Sequence, residues 1–141
     1  MSGSPPGVRR ASVLLAEDHM ETAKQLRALL QPHFDVVAVV ADGRALLSAA
    51  AALTPDAIVT DISMPLLDGI QASALIRSRD PDARIVFVTV HSEPILVERC
   101  IAAGALGYVL KDAAGDELVT AVHAALGGDR YVSQALRHHG N

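Results

Sequence analysis

The residues of this sequence that could act together in chemistry are three carboxylates, a hydroxyl and an ammonium group. Each stands at or directly after the end of a short apolar run, and they are Glu17, Asp18, Asp61, Thr89 and Lys111. Three carboxylates within a few ångströms repel one another, so a cation is expected to neutralise them. Oxygen ligands favour Mg²⁺, which commonly binds one or two carboxylates, waters and a phosphate oxygen. No histidine or cysteine spacing near these acids suits zinc.

The segments that must position these side chains alternate between strands and helices. The short apolar runs are continuous, as expected of strands buried on both faces, whereas the segments between them carry apolar residues at helical spacing. Ser92-Glu93-Pro94 is a candidate helix start and cap with Pro in the first turn, Asp112 is a candidate N-cap, and Gly104 is a candidate left-handed helix stop. The pattern predicts strands over 12–16, 34–41, 57–60, 84–90 and 107–110, and helices over 20–30, 44–53, 69–79, 92–104 and 113–126.

Five alternating strands and helices predict an α/β fold of three layers. The expected architecture is a flavodoxin-like (βα)5 doubly wound parallel sheet with strand order 2-1-3-4-5 and right-handed crossovers. In such sheets the binding site lies beyond the carboxyl ends of the strands where the strand order reverses, here between strands 1 and 3. Singly, each polar residue is ordinary, because acids cap helices and a lysine after a strand is solvated. Their joint position at this edge indicates a site.

Composition and charge favour one intracellular domain. The chain has 141 residues, half of them apolar, and a net charge of −4, which does not indicate a surface for nucleic acid or membrane. Cys100 is the only cysteine, so no intrachain disulfide is expected and a cytoplasmic location is the simplest interpretation. No apolar run reaches the length of a membrane span, and the N-terminus lacks the apolar centre of a signal peptide.

The boundaries expected from the sequence are a disordered leader over 1–10, a folded domain over 11–130, and a tail over 131–141. Pro5, Pro6 and Gly7 mark the leader. The tail is interpreted either as a terminus or as the start of a linker, and His138 and His139 within it are not expected to form a metal site.

Four segments resemble the receiver domains of two-component response regulators, over roughly residues 11–130. The acidic pair lies in 14–19, Leu-Leu-Ala-Glu-Asp-His, and the acceptor stretch is 59–69, Val-Thr-Asp-Ile-Ser-Met-Pro-Leu-Leu-Asp-Gly. The hydroxyl lies in 86–91, Val-Phe-Val-Thr-Val-His, and the lysine in 104–111, Gly-Ala-Leu-Gly-Tyr-Val-Leu-Lys. An Asp followed by Met-Pro and then Asp-Gly, between a strand and a helix, is a specific motif of that family.

The resemblance implies phosphorylation on Asp61 by a sensor histidine kinase, with Lys111 as the cation that binds the phosphate. The domain would be a phosphoacceptor that assists its own phosphorylation and dephosphorylation, rather than a turnover enzyme. Phosphoryl transfer to a carboxylate requires that charge on the phosphoryl oxygens be neutralised, which supports these roles. The Mg²⁺ ligands that the resemblance implies are Glu17, Asp18, Asp61 and the backbone carbonyl of Ser63.

The resemblance also implies a conformational switch. Thr89 is implied as the switch hydroxyl and Tyr108 as the switch aromatic, and the face around residues 93–127 is the implied output surface. Ser63 and His91 lie where the family tunes dephosphorylation, and Glu17 stands where many members have Asp.

Further details resemble the NarL/FixJ (LuxR-type) subfamily, in which a helix-turn-helix DNA-binding domain follows a linker. The segment 131–136, Tyr-Val-Ser-Gln-Ala-Leu, resembles the start of that linker, yet the chain ends at Asn141. Either a longer parent protein was shortened to its receiver or the receiver stands alone. The implied output is transcription regulation through a DNA-binding domain absent from this chain, and a phosphorylation-dependent homodimer is one further expectation.

Two other functions fit part of the pattern. A hydrolase of the haloacid-dehalogenase class also uses an Asp nucleophile on phosphate esters, but its second Asp would fall at Ser63, which leaves no general acid there. A degenerate receiver would bind a partner without phosphorylation, and the full set of site residues argues against it.

Overall fold

A computed structural model describes residues 9–137 and contains a parallel sheet between two layers of helices. The strands and helices follow the predicted alternation with small shifts at their ends. The strands are β1 (Ser12–Ala16), β2 (Asp35–Val40), β3 (Ala57–Thr60), β4 (Ile85–Thr89), β5 (Gly107–Leu110) and β6 (Tyr131–Val132). The helices are α1 (Met20–Leu30), α2 (Gly43–Leu53), α3 (Gly69–Arg79), α4 (Pro94–Ala102) and α5 (Ala114–Leu126).

The strand order is β2-β1-β3-β4-β5-β6, and every pairing is parallel. The predicted flavodoxin-like fold and the order 2-1-3-4-5 are confirmed. The sixth strand was not predicted, because the two residues of β6 are too few to show a period. It pairs with β5 through Gly107 opposite Tyr131 and Tyr108 opposite Val132.

The core lies on both faces of the sheet, which explains the continuous apolar runs of the inner strands β1, β3 and β4. The edge strand β2 is different, since its alternate residues are exposed. In β1, Val13 and Leu15 face the layer of α1 and α5, whereas Leu14 and Ala16 face the layer of α2, α3 and α4. All four side chains are fully buried. Since successive residues of a strand point to opposite faces, a strand covered by helices on both sides must be apolar at every position.

The helix ends confirm two predictions and correct one. Gly104 adopts a φ of +100°, the left-handed stop that was expected after α4. The helix start predicted at Ser92-Glu93-Pro94 is confirmed, with Glu93 at the cap position and Pro94 in the first turn of α4. The cap predicted at Asp112 is wrong, because residues 111–113 form a 3₁₀ turn and α5 starts after it without a side-chain cap. The tight turn takes the place of a capping side chain.

At the termini, residues 1–8 and 138–141 lie outside the described range, and with them most of the predicted leader and the pair His138 and His139. Arg9, at the end of the predicted leader, forms an ion pair of 2.9 Å with Asp56. Of the predicted tail, residues 131–136 form β6 and a 3₁₀ turn. None of the helices described is both long enough and apolar enough to span a membrane.

The thiol of Cys100 is sealed within the core, which gives a first testable expectation. Its side chain is fully buried on α4, and burial raises the pKa of the thiol to about 12. Since the thiolate is the reactive form, we expect almost no reaction with Ellman's reagent at pH 8 in buffer and rapid reaction in guanidinium chloride. Equal rates in the two conditions would show that Cys100 is accessible in the folded protein.

Candidate functional site

The parallel strands bring the predicted site residues to one edge of the sheet. Glu17 and Asp18 follow β1, Asp61 follows β3, Thr89 ends β4 and Lys111 follows β5. The backbone hydrogen bonds of the sheet continue past the strand ends. The Glu17 N–H donates to the Val40 carbonyl at 2.9 Å, and the Asp61 N–H donates to the Ala16 carbonyl at 3.1 Å. The sheet therefore fixes the backbones of Glu17 and Asp61, which directly follow the neighbouring strands β1 and β3.

Lys111 connects the two most deeply buried acids. Its Nζ lies 2.8 Å from Asp61 Oδ2 and 2.7 Å from Glu17 Oε1. The Glu17 side chain has no exposed surface, and that of Asp61 is 7% exposed. The contact with Glu17 is an ion pair whose angles lie outside the range of a good hydrogen bond. One ammonium group thus balances two buried carboxylates, which leaves the cluster negative.

Backbone donors stabilise the remaining carboxylate oxygens. The Ile62 N–H donates to Asp61 Oδ1 at 2.7 Å, and the His19 N–H donates to Glu17 Oε2 at 3.0 Å. The ring nitrogen Nδ1 of His19 also lies 3.0 Å from Glu17 Oε2. Asp61 is therefore oriented by a backbone donor on one oxygen and by Lys111 on the other.

The contacts around Glu17 and Lys111 favour the ionised form of both side chains. Burial alone would raise the pKa of Glu17, but the contacts with Lys111 and His19 outweigh it and hold that pKa below its usual value. Burial likewise would lower the pKa of Lys111, and the contacts with Asp61 and Glu17 outweigh it and raise the pKa. Each partner thus favours the ionised form of the other. An ammonium group fixed beside Asp61 is suited to bind an anion there.

The donor set at this edge fits Mg²⁺. Asp18 Oδ1 is buried without a hydrogen bond, although it lies 3.2 Å from His19 Nδ1, and ligand atoms of Glu17, Asp18 and His19 lie within 4.8 Å of one another. A buried carboxylate oxygen without a hydrogen bond is costly, and a hard cation with oxygen ligands would satisfy it. Ser63, whose carbonyl the family resemblance adds to the ligands, lies two residues after Asp61 in the same loop. The contact between His19 and Glu17 was not predicted from the sequence.

The predicted switch residues meet at the backbone of His91. Thr89 is fully buried, and its Oγ1 accepts a hydrogen bond of 3.1 Å from the His91 N–H. Tyr108 is 1% exposed, and its hydroxyl donates to the His91 carbonyl at 2.8 Å. The His91 ring approaches Ser63 Oγ at 3.3 Å. The loop after β4 is therefore in contact with Tyr108 of β5 and with Ser63 in the loop after β3.

Gly69 is needed for close packing beneath Asp61. A Cβ on Gly69 would lie 2.0 Å from the carbonyl oxygen of Asp61, so a side chain there must displace the Asp61 backbone. We expect Gly69→Ala to lower the free energy of unfolding by about 1–3 kcal/mol in urea denaturation. Gly115→Ala is the matched control, because nothing lies within 4 Å of that position in α5 and alanine favours a helix. Equal stability of the two variants would contradict the close approach.

Known proteins are similar to this chain in sequence. The family model of the response regulator receiver domain matches residues 13–123. The probable transcriptional regulatory protein NarL of Mycobacterium tuberculosis is 33% identical over 135 residues, which cover 94% of this chain and 62% of that protein. The chain therefore spans about three-fifths of the length of this curated relative.

Solved structures agree with the sequence matches. The crystal structure of a LuxR-family two-component response regulator from Aurantimonas sp. superposes with a TM-score of 0.86 at 35% identity, and the match covers 90% of this chain and 92% of that chain. A chain of the complex of CheX, CheY, BeF3 and Mg²⁺ from Borrelia burgdorferi superposes with a TM-score of 0.77 at 26% identity, covering 81% of this chain and 87% of that chain.

Proposed function

The chain belongs to the family of response regulator receiver domains, and on this basis we propose that Asp61 accepts a phosphoryl group from a sensor histidine kinase. The family functions in two-component signal transduction, and the relatives matched here are NarL- and LuxR-type regulators. The observation that carries the assignment to Asp61 is its contact with Lys111. A buried carboxylate oriented by a backbone donor and held 2.8 Å from a fixed ammonium group is suited to attack a phosphoryl group.

The transfer proceeds by in-line displacement. A carboxylate oxygen of Asp61 forms a bond to phosphorus as the bond between phosphorus and the imidazole nitrogen of the donor breaks, and that imidazole takes a proton from solvent. Lys111 binds the phosphoryl oxygens as negative charge passes to the receiver. Mg²⁺, when bound by Glu17, Asp18, Asp61 and the Ser63 carbonyl, would supply further neutralising charge. The domain thereby assists its own phosphorylation, and hydrolysis of the acyl phosphate would reverse it.

Phosphorylation would alter the output face through the loop after β4. The product adds about two negative charges and new acceptor oxygens at Asp61. Thr89 gives up its hydrogen bond with the His91 N–H to bind the phosphoryl group, and Tyr108 follows as the contacts around His91 rearrange. We propose that the face around residues 93–127 carries this change to a partner.

The output is proposed from the relatives. NarL is described as a transcriptional regulator, and it is longer than this chain. We propose that the receiver acts in the cytoplasm and controls a DNA-binding effector domain, with a phosphorylation-dependent homodimer as one route of control. Within this chain the described residues provide the phosphorylation switch only.

The test of the function is covalent phosphorylation by a small donor. We expect phosphoramidate with Mg²⁺ to add one phosphoryl group per chain, visible by intact-mass spectrometry and removed by hydroxylamine, as an acyl phosphate should be. Chelation of Mg²⁺ by EDTA should suppress the adduct, and restored Mg²⁺ should recover it. Continuous turnover of a phosphate ester without an adduct would indicate a hydrolase instead. Absence of any adduct would indicate a receiver that binds its partner without phosphorylation.

A further inference from the structure

The segment after α5 is joined to the strand that leads to Lys111. In β6, the Tyr131 N–H donates to the Leu106 carbonyl at 2.9 Å, and beyond it the Ser133 N–H donates to the Tyr108 carbonyl at 2.9 Å. Without this segment β5 would be the edge strand of the sheet. The backbone ladder between β5 and β6 thus reaches almost to the site residue Lys111.

A side chain completes the ladder where the backbone pairing ends. Leu110 is the last residue of β5, and its N–H donates to Ser133 Oγ at 2.9 Å. Ser133 is fully buried, although serine is usually exposed. The hydroxyl therefore serves as the acceptor for the amide directly before Lys111, and without it this part-buried N–H would lack a partner.

A buried acid of α5 holds this serine. The Ser133 hydroxyl donates to Glu117 Oε1, and the Gln134 N–H donates to Glu117 Oε2 at 3.1 Å. Glu117 is only 9% exposed, and no ion pair within residues 9–137 includes it. It lies in the first turn of α5, where backbone N–H groups and the helix dipole favour a negative charge. The carboxylate is thus placed to fix Ser133 rather than to pair with a cation.

We propose that Ser133 and Glu117 are positioning residues for Lys111. The lysine stands in a 3₁₀ turn between β5 and α5, and the position of its Nζ depends on where that turn starts and ends. Ser133 fixes the end of β5 from the side of β6, and Glu117 connects Ser133 to the start of α5. The same chain of hydrogen bonds therefore fixes both ends of the turn. This inference rests on the proposed function, since it concerns the cation that binds the phosphoryl group.

The test compares phosphorylation rates among variants that are folded at the assay temperature. With phosphoramidate and Mg²⁺, we expect Ser133→Ala to react about three- to tenfold more slowly than wild type, as expected from one lost hydrogen bond. Glu117→Gln should slow the reaction less, because its amide can still accept one of the two bonds. Asp116→Asn is the matched control, as it lies next to Glu117 in α5 but is exposed, and it should react at the wild-type rate.

Two further readouts separate positioning from general stability. Exchange of the Leu110 amide hydrogen should accelerate in Ser133→Ala. The variant that combines Ser133→Ala with Glu117→Gln should react no more slowly than Ser133→Ala alone, since Glu117 acts through Ser133. A wild-type rate in Ser133→Ala, or additive losses in the double variant, would overturn the inference. Failure of wild type to react would instead overturn the proposed function, so the two failures are distinct.

Discussion

Asp61→Asn is expected to abolish the phosphoryl adduct completely, the largest effect of any single substitution in this chain. An amide is not a nucleophile toward phosphorus under these conditions, so no second route to the same acyl phosphate exists. The fold should be retained, because Asn can still accept the hydrogen bond of 2.7 Å from the Ile62 N–H, and Lys111 keeps its contact with Glu17. Intact-mass spectrometry after incubation with phosphoramidate and Mg²⁺ measures the outcome.

The matched control is Asp68→Asn in the same loop. Asp68 caps α3 by accepting a hydrogen bond of 2.8 Å from the Gln71 N–H, and Asn is an equally good cap. This variant should carry the adduct as wild type does. A hydroxylamine-labile adduct of equal yield on Asp61→Asn would assign the acceptor to another carboxylate, with Asp18 the first to examine because its Oδ1 is buried and makes no hydrogen bond.

Lys111→Met is expected to have two large effects. The first is on the reaction: loss of a fixed charge at the phosphoryl oxygens should slow phosphorylation by about 100-fold or more. The second is on stability, because the buried Glu17 side chain would lose the ammonium group that lies 2.7 Å from it. Breaking a buried ion pair by removal of one partner typically costs on the order of 3 kcal/mol in the free energy of unfolding, which urea denaturation would measure.

Lys24→Met makes the same substitution at an exposed site. Lys24 lies 3.8 Å from Glu21 on the surface of α1, and exposed pairs of this kind contribute little to stability. We expect this variant to match wild type in both measurements. If Lys111→Met were as stable as wild type, the Glu17 carboxylate must find another partner or take up a proton, and the ion-pair account of the cluster would be wrong.

The strands and helices that could be predicted are those whose apolar residues repeat at a regular spacing along the chain. The continuous apolar run of β1 and the helical spacing of α5 each repeat a period over enough residues to be recognised, and Gly104 stands where a helix must stop. The predicted cap at Asp112 failed because a capping residue depends on how the preceding chain enters the helix. At Asp112 the entry is a 3₁₀ turn that the strand before it imposes.

One part of the candidate site could likewise be predicted from the sequence and another could not. Its acids, hydroxyl and lysine were predicted because they stand at or directly after the ends of strands, and parallel strands end at one edge of a sheet. The contacts of Thr89 and Tyr108 with His91 were not predicted, since they depend on how the loop after β4 packs rather than on the type of any residue. Likewise the buried position of Ser133 has no sequence signal, because β6 is too short for a period and is held by its pairing with β5.

The sequence by itself determined the alternation of strands and helices, the resemblance to receiver domains, and Asp61 as the candidate acceptor. These follow from periodicity and from motifs, which are properties of neighbouring residues. Only the tertiary structure decided that one lysine contacts both Glu17 and Asp61, that Asp18 Oδ1 is buried without a hydrogen bond, and that Ser133 completes the ladder beside Lys111. Those contacts join residues far apart in the chain, and their distances and angles are set by the packing of the sheet against its helices.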